Sequence, residues 1–356
     1  MGMTSWMRRF VRKPPTKQTS TDHSKPVVIR GRDKQSEGTL PAGFHAPKLQ
    51  PSYTFLKGAW KENGHAFPTT DLRSNDVKIK LVTWNIDFQA VAGPQRMAAA
   101  LQYLKNTLIS SSLAADMPTV VFFQEMTSSD LDLIQATSWV QSRFRITDIS
   151  STNWLSRYGT TTLIDLRLPI GSVFRTRYAS KMGRDALFVD LDCSDGTRCT
   201  RNGRIRLGNT HLESLAADPP LRPAQVALAT RLLSDDSVHG GVLAGDFNAI
   251  QGFDQTLHVK NDLQDAYLEA GGIEGAEKEG GEKGCEKGWT WGMQSHGGQR
   301  ERFGCSRMDK MLFCGGVKLE QLERIGGGVK VPEGEVGEGI FATDHLGLMA
   351  DLVIEY

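Results

Sequence analysis

The sequence predicts an α/β protein: a four-layer α/β sandwich of two packed mixed β-sheets flanked by helices. Three observations predict it. Short apolar or alternating runs outnumber helical stretches, as in a protein built on sheets. Helical periodicity falls between some of these runs, which places helices on the sheet faces. Residues able to do chemistry recur at run ends from position 84 to 345, which fits one assembled centre better than two domains.

The elements follow in order. Residues 77–84 alternate apolar and polar over their first half and read as a half-buried strand. Residues 95–108 have helical spacing. Residues 118–125 form a short apolar run, the pattern of a strand covered on both faces. Residues 130–144 read as one helix. Strands are expected at 160–166, 172–175, 186–192 and 205–211. Residues 223–234 form a helix after a proline-rich turn, and 241–246 a buried strand. Late strands are expected at 308–313 and 346–354.

Outside these elements the texture differs. Residues 1–48 are rich in Lys, Arg, Ser, Thr, Pro and Gly and read as a disordered basic tail. Residues 49–76 hold Tyr53, Phe55, Trp60 and Phe67 at a spacing that fits no regular element. They read as an extended segment docked on the single domain, 77–356. Residues 271–288 are Gly, Glu and Lys in low complexity, which cannot build a core, and read as a flexible surface insertion. A second long loop covers 326–339.

Bulk properties narrow the class. With 356 residues, 39% of them hydrophobic, the chain is long enough for one large core. No apolar run is long enough to span a bilayer, and no apolar stretch follows the first basic residues as a secretory signal requires. Five cysteines (Cys193, Cys199, Cys285, Cys305 and Cys314) lack CxxC spacing, which points away from a disulfide framework or a zinc site. A reducing compartment is expected. Nine Lys/Arg against two Asp in residues 1–36 give +7, so the total of +1 leaves −6 for the rest. An acidic domain is a poor wrapper of long duplex DNA, but it permits a local grip on one phosphate.

Five strand-end clusters carry the chemistry: Asn85 and Asp87; Gln124 and Glu125; His211, Glu213 and Ser214; Asp246 and Asn248; Asp344 and His345. Singly, Asp87 or Asp246 reads as a turn or helix cap, and His211 as a satisfied core histidine. Glu125, closing a buried strand, needs a partner, and a metal is a suitable one. Together the types match phosphodiester hydrolysis. A hard cation held by Glu125 and Asp87, with Asp344 as a further ligand, polarises a phosphoryl oxygen. Asp246, helped by Asn248, positions and deprotonates a water. Asn85, His211 and His345 donate to the charge that develops, and Asp309 orients His345.

From about residue 81 to 352 the ordered set WN-x-D, QE, THLE, GDFN, R-x-D and DH resembles the endonuclease/exonuclease/phosphatase superfamily. Within it the nearest resemblance is to the tyrosyl-DNA phosphodiesterase 2 family, carried by residues 83–87, 210–214, 289–291, 307–309 and 180–184. The resemblance implies a DNase I-like fold and a metal-dependent phosphodiesterase of DNA repair that cuts between a tyrosine and a 5′-phosphate. It implies Mg²⁺, with Mn²⁺ substituting, on Asp87 and Glu125, and Asp246 as acid/base. Asn85, His211, Glu213, Ser214, Asn248 and His345 would line the phosphate pocket. DNA ends with a 5′-linked tyrosyl peptide are the implied partner, and a nuclear monomer the implied state. Departures from the family pattern fall at Phe88, Ala216, Phe247, Ile250 and Leu346. Other substrates in the same superfamily stay open: abasic DNA, RNA, and inositol or lipid phosphates. So does a non-catalytic scaffold.

Overall fold

The structure, a computed structural model, describes residues 40–63, 76–109, 117–192, 203–277, 283–332, 334 and 339–355. All belong to one compact unit, Lys34–Tyr356. The tail expected over 1–48 lies outside the described residues up to position 39, as do Cys193 and Cys199. Among the described residues no helix is long and apolar enough to cross a membrane.

The strands are β1 (Lys48–Leu49), β2 (Tyr53–Leu56), β3 (Ala59–Glu62), β4 (Asp76–Asn85), β5 (Thr119–Met126), β6 (Phe144–Ile146), β7 (Gly159–Asp165) and β8 (Ile170–Arg177). They continue as β9 (Asp185–Asp192), β10 (Arg204–His211), β11 (Gly240–Asp246), β12 (Gln264–Asp265), β13 (Asp309–Gly315), β14 (Val317–Ile325) and β15 (Gly347–Glu355). One sheet has the order β1-β8-β9-β10-β11-β13-β12, the other β14-β15-β4-β5-β7-β6-β2-β3. The longer helices are α1 (Gly93–Ile109), α2 (Ser128–Ala136), α3 (Ser138–Arg143) and α4 (Arg222–Leu233).

Alternation along the strands makes the layers. Ile79, Leu81 and Phe122 face the other sheet, where Leu187, Val189, Leu207, Val242 and Phe313 meet them. Val82, Trp84 and Phe123 face outward, under Met97, Leu101, Leu104 and Leu108 of α1. Those four α1 residues recur at three- and four-residue spacing, one stripe of a helix. On the far side Phe188, Leu243 and Leu312 lie under Val226, Ala229 and Leu233 of α4. Helices, sheet, sheet, helices: the expected four-layer sandwich is what forms.

Polar clamps fasten the two sheets. The amide of Gln124 donates to Thr83 Oγ1 and to Asn209 Oδ1, at 2.9 and 2.8 Å. Asn209 donates in turn to the carbonyls of Phe123 and Thr161. Both amides are fully buried, so their hydrogen bonds fix the sheets against each other.

Strand direction gathers the chemistry at one end. β4 and β5 are parallel, with Asn85 beside Gln124, and β10 and β11 are parallel, with His211 beside Asp246. β13 runs antiparallel to β11 and opposes Asp309 to Asp246. β15 runs antiparallel to β4, so the residues entering it, Asp344 and His345, return to the end of β4.

Three expectations need correction. The single helix over 130–144 is two, because Thr137 is extended (φ −79°, ψ 113°) and ends α2 where α3 begins. Residues 49–63 do not lack regular structure: β2 and β3 form a hairpin on the edge of the eight-stranded sheet, while 64–75, with Phe67, lie outside the described residues. The stretch 271–288 is not a free insertion where it is described. Glu274 pairs with Arg307 and Lys310, Glu277 with Arg300, and Cys285 is buried in a short 3₁₀ turn.

Candidate active site

Two compact groups of ligand-type atoms meet where the two sheets end. One joins Glu125, His211 and Asp246; the other joins Asp246, Asp309 and His345. Asp246 belongs to both and is the hub.

Local sequence explains how each is held. Gly245 (φ 149°) packs directly on the backbone of Thr210, where any Cβ would collide, so β11 closes onto β10 just before Asp246. Asp246 Oδ2 accepts from Asn85 Nδ2 at 2.9 Å, and Oδ1 from the Asn248 N–H at 2.7 Å. Asn248 (φ 47°) makes that turn at left-handed backbone, a conformation Asn tolerates. Glu125 (φ 59°) sits in a bulge of β5 between Phe123 and Met126. Just beyond it, the Thr127–Asp130 capping box starts α2 and pins the exit. Glu125 Oε2 accepts from the Phe88 N–H at 3.1 Å. Asp87 (φ 55°) is tied to Arg96 of α1 at 3.3 Å, and its N–H donates to Asn85 Oδ1.

The histidines differ in charge. His345 Nδ1 donates to Asp309 Oδ2 at 2.8 Å, and its Nε2 lies 3.9 Å from both Asp246 and Asp344. Burial opposes its charge, but Asp309 and Asp344 outweigh that and hold the imidazolium well above the ordinary histidine range. His211 is pushed well below that range by burial, then by Arg184 and His345, and is neutral. Arg184 Nη1 donates to His211 Nδ1 at 2.7 Å, which leaves the ring proton on Nε2. That buried Nε2 has no hydrogen-bond partner among the described residues and stands 3.4 Å from Asp246 and 3.6 Å from Glu125.

The carboxylates are crowded. Burial, then Asp87, raises Glu125 to about 8 despite Arg184; burial, against His345, leaves Asp246 at about 6; burial and Asp344 raise Asp87. Such an excess of buried negative charge suits a divalent cation, and Asp344 adds a buried oxygen with no hydrogen-bond partner among the described residues. Glu125, Asp87 and Asp344 keep 15–16% of their side-chain surface exposed, against 2% for Asp246. A cation would therefore meet the first three from solvent, with Asp246 behind them.

The predicted residues do not all gather as expected. Asp87 and Asp344 lie beside Glu125 electrostatically but outside both compact groups. Asp87 is engaged by Arg96, and Asp344 accepts from Trp291 Nε1 at 2.8 Å. Both oxygens of Glu213, expected in the phosphate pocket, are taken, by Ser180 Oγ and the Lys181 N–H, so it braces the 180–184 loop. Ser214 donates to Asn248 Oδ1, and Asn248 Nδ2 donates to the Leu212 carbonyl. Those two side chains hold each other. Asn85 is a bridge from the Asp87 loop to Asp246 rather than a free donor.

Two neighbours were not among the expected site residues: Arg184, seen in the sequence only as part of the 180–184 match, and Tyr158. Arg184 fixes His211. Tyr158 stacks on Phe88, with ring centroids 3.9 Å apart, and lies 6.3 Å from the His211 ring. Arg184 covers Tyr158, and Arg157 covers Phe88.

Known proteins share this architecture. TDP2 from Caenorhabditis elegans superposes with a TM-score of 0.56 at 19% identity, over 78% of this chain and 74% of that one. D. rerio TDP2 complexed with a single-strand DNA product gives 0.54 at 15% identity, over 77% and 98%. The human Nocturnin catalytic domain with a bound sulfate gives 0.51 at 14%, over 77% and 94%. At these identities the likeness is one of fold. No curated protein matches by sequence. Residues 82–345 match the sequence profile of the Endonuclease/Exonuclease/phosphatase family. The chain belongs to that family, whose members are metal-dependent phosphoester hydrolases.

Proposed function

We propose that the protein is a Mg²⁺-dependent phosphodiesterase that hydrolyses the bond between a tyrosine and the 5′-phosphate at a DNA end. The observation that carries the reading is Asp246, held by Asn85 and Asn248 beside the His345 imidazolium and the Nε2–H of neutral His211. A carboxylate near 6 takes a proton from the attacking water at neutral pH. His345 and His211 donate to the phosphoryl oxygens as negative charge grows there. Asp309 orients His345. Glu125, with Asp87 and Asp344, would hold the cation, which when bound neutralises phosphoryl charge. The Phe88–Tyr158 stack beside His211 offers a flat face for an aryl leaving group. The fold likeness to TDP2 supports the same choice. As a repair enzyme of DNA ends the protein would work in the nucleus, as a monomer.

Purified protein with Mg²⁺ should be offered a 5′-phosphotyrosyl oligonucleotide, an abasic duplex and a phosphoinositide. Cleavage of the first alone is expected. Preference for either of the others would replace the tyrosyl reading with a different phosphoester.

A further inference from the structure

We infer that a basic pocket beside the reacting centre binds a second nucleotide of the substrate strand, away from the scissile phosphate; this rests on the nucleic-acid reading above. The pocket has a volume of about 320 Å³, and its polar lining includes Lys48, Gln50, Asn153, Arg175, Arg177 and Asp185. That is the lower end of the range for small-ligand sites, roughly 300–1,000 Å³.

Its place in the fold is fixed by pairing. Lys48 of β1 opposes Arg175 of β8, and Arg177 opposes Asp185 of β9. Asp185 directly follows Arg184, the donor to His211. Leu155, another wall of the pocket, packs its carbonyl on Gly183 of the loop that Glu213 braces. The pocket therefore shares its walls with the active-site loop. Its remaining side, residues 41–50, lies before the family match, which begins at 82.

Charge selects the ligand. Arg175 is buried and spent on Asp148, Asp185 and Gln50. Lys48 and Arg177 are exposed, and neither has a carboxylate partner among the described residues. Lys181, also exposed, stands on the loop between Arg177 and Arg184. In a chain whose residues after 36 carry −6, this rim is a local positive field that favours a polyanion's phosphates.

The test is the double variant Lys48→Glu/Arg177→Glu, assayed with a minimal ester, thymidine 5′-(4-nitrophenyl phosphate), and with a 5′-phosphotyrosyl ten-nucleotide strand. For the strand, KM should rise about tenfold at 50 mM salt, and the slope of log KM against log salt should fall by about 1.4, roughly 0.7 per lost contact. Its kcat, both constants for the minimal ester, and the melting midpoint should stay at wild-type values. The double Gln variant, which leaves no reversed charge to disturb folding, should show the same pattern at smaller amplitude. Strand constants equal to wild type in both variants would overturn the pocket's role. An effect seen only when the tyrosine carries a longer peptide would also overturn it, assigning the pocket to protein. Wild-type protein that cleaves the ester and leaves the strand intact would instead sink the nucleic-acid reading itself.

Discussion

Replacing Asp246 by Asn will stabilise the metal-free protein while it removes turnover. Asp246 is buried and its carboxyl is raised to about 6. The unfolded chain holds an Asp near 3.9, a difference of roughly 2 units, and each unit corresponds to about 1.36 kcal/mol. A raised carboxyl pKa means that the folded state binds the proton more tightly. Its cost is absent below about pH 4, grows as pH rises through 6, and is full above that, at about 3 kcal/mol. The Asn variant escapes this cost. It keeps an acceptor for the Asn248 N–H, but its NH2 takes the place of Oδ2 and faces the Asn85 Nδ2 donor, so that hydrogen bond is lost, at about 1–2 kcal/mol. The net gain at pH 7.5 is therefore about 1–2 kcal/mol. Urea unfolding in chelator from pH 4 to 8 measures it, with kcat followed in parallel and expected to fall by roughly 10²–10⁴. A variant less stable than wild type at pH 7.5, or a difference that is flat with pH, would refute the electrostatic account of this residue.

Three further outcomes are expected. Glu125→Gln should lose metal-dependent turnover with an unchanged circular dichroism spectrum and no calorimetric signal on Mg²⁺ addition; full activity would sink the metal assignment. Gly245→Ala drives a Cβ into the backbone of Thr210 and should cost about 2–3 kcal/mol in urea unfolding. A wild-type midpoint there would show that β10 and β11 can separate freely. Arg307→Met leaves buried Asp265 and half-buried Glu274 with Lys310 opposite and should cost roughly 3–5 kcal/mol. It should also open the chain to a Glu-specific protease at Glu274, and resistance would contradict the docked segment.

The sheets were legible where side chains obey a two-residue period or a fully apolar run, as in β4, β5 and β11. β14 escaped because a bulge between Leu319 and Gln321 breaks its alternation on a highly charged edge. The β2–β3 hairpin escaped because its two-residue turn is Lys57-Gly58, both at positive φ, without the Asn-Gly that usually announces such a turn. The site was legible as a set of strand ends. Which oxygen or nitrogen is already engaged was not, since Glu213's loop partners and Asn85's bridge depend on atoms brought from elsewhere in the chain. Arg184 was legible only as part of the 180–184 match; its hold on His211, 27 residues away, and the place of Tyr158 beside that ring, 53 residues away, come from the fold.

The amide bridge from Gln124 to Asn209 has a consequence for how activity can be lost. The centre is divided between the sheets: Asn85 and Glu125 belong to one and His345 leads into its strand β15, while His211, Asp246 and Asp309 belong to the other. Turnover is therefore a gauge of the gap between them. A slip of one sheet by a single hydrogen-bond length parts Asp246 from Asn85 while every strand and helix is still intact. Inactivation by heat or denaturant should accordingly precede the loss of secondary structure.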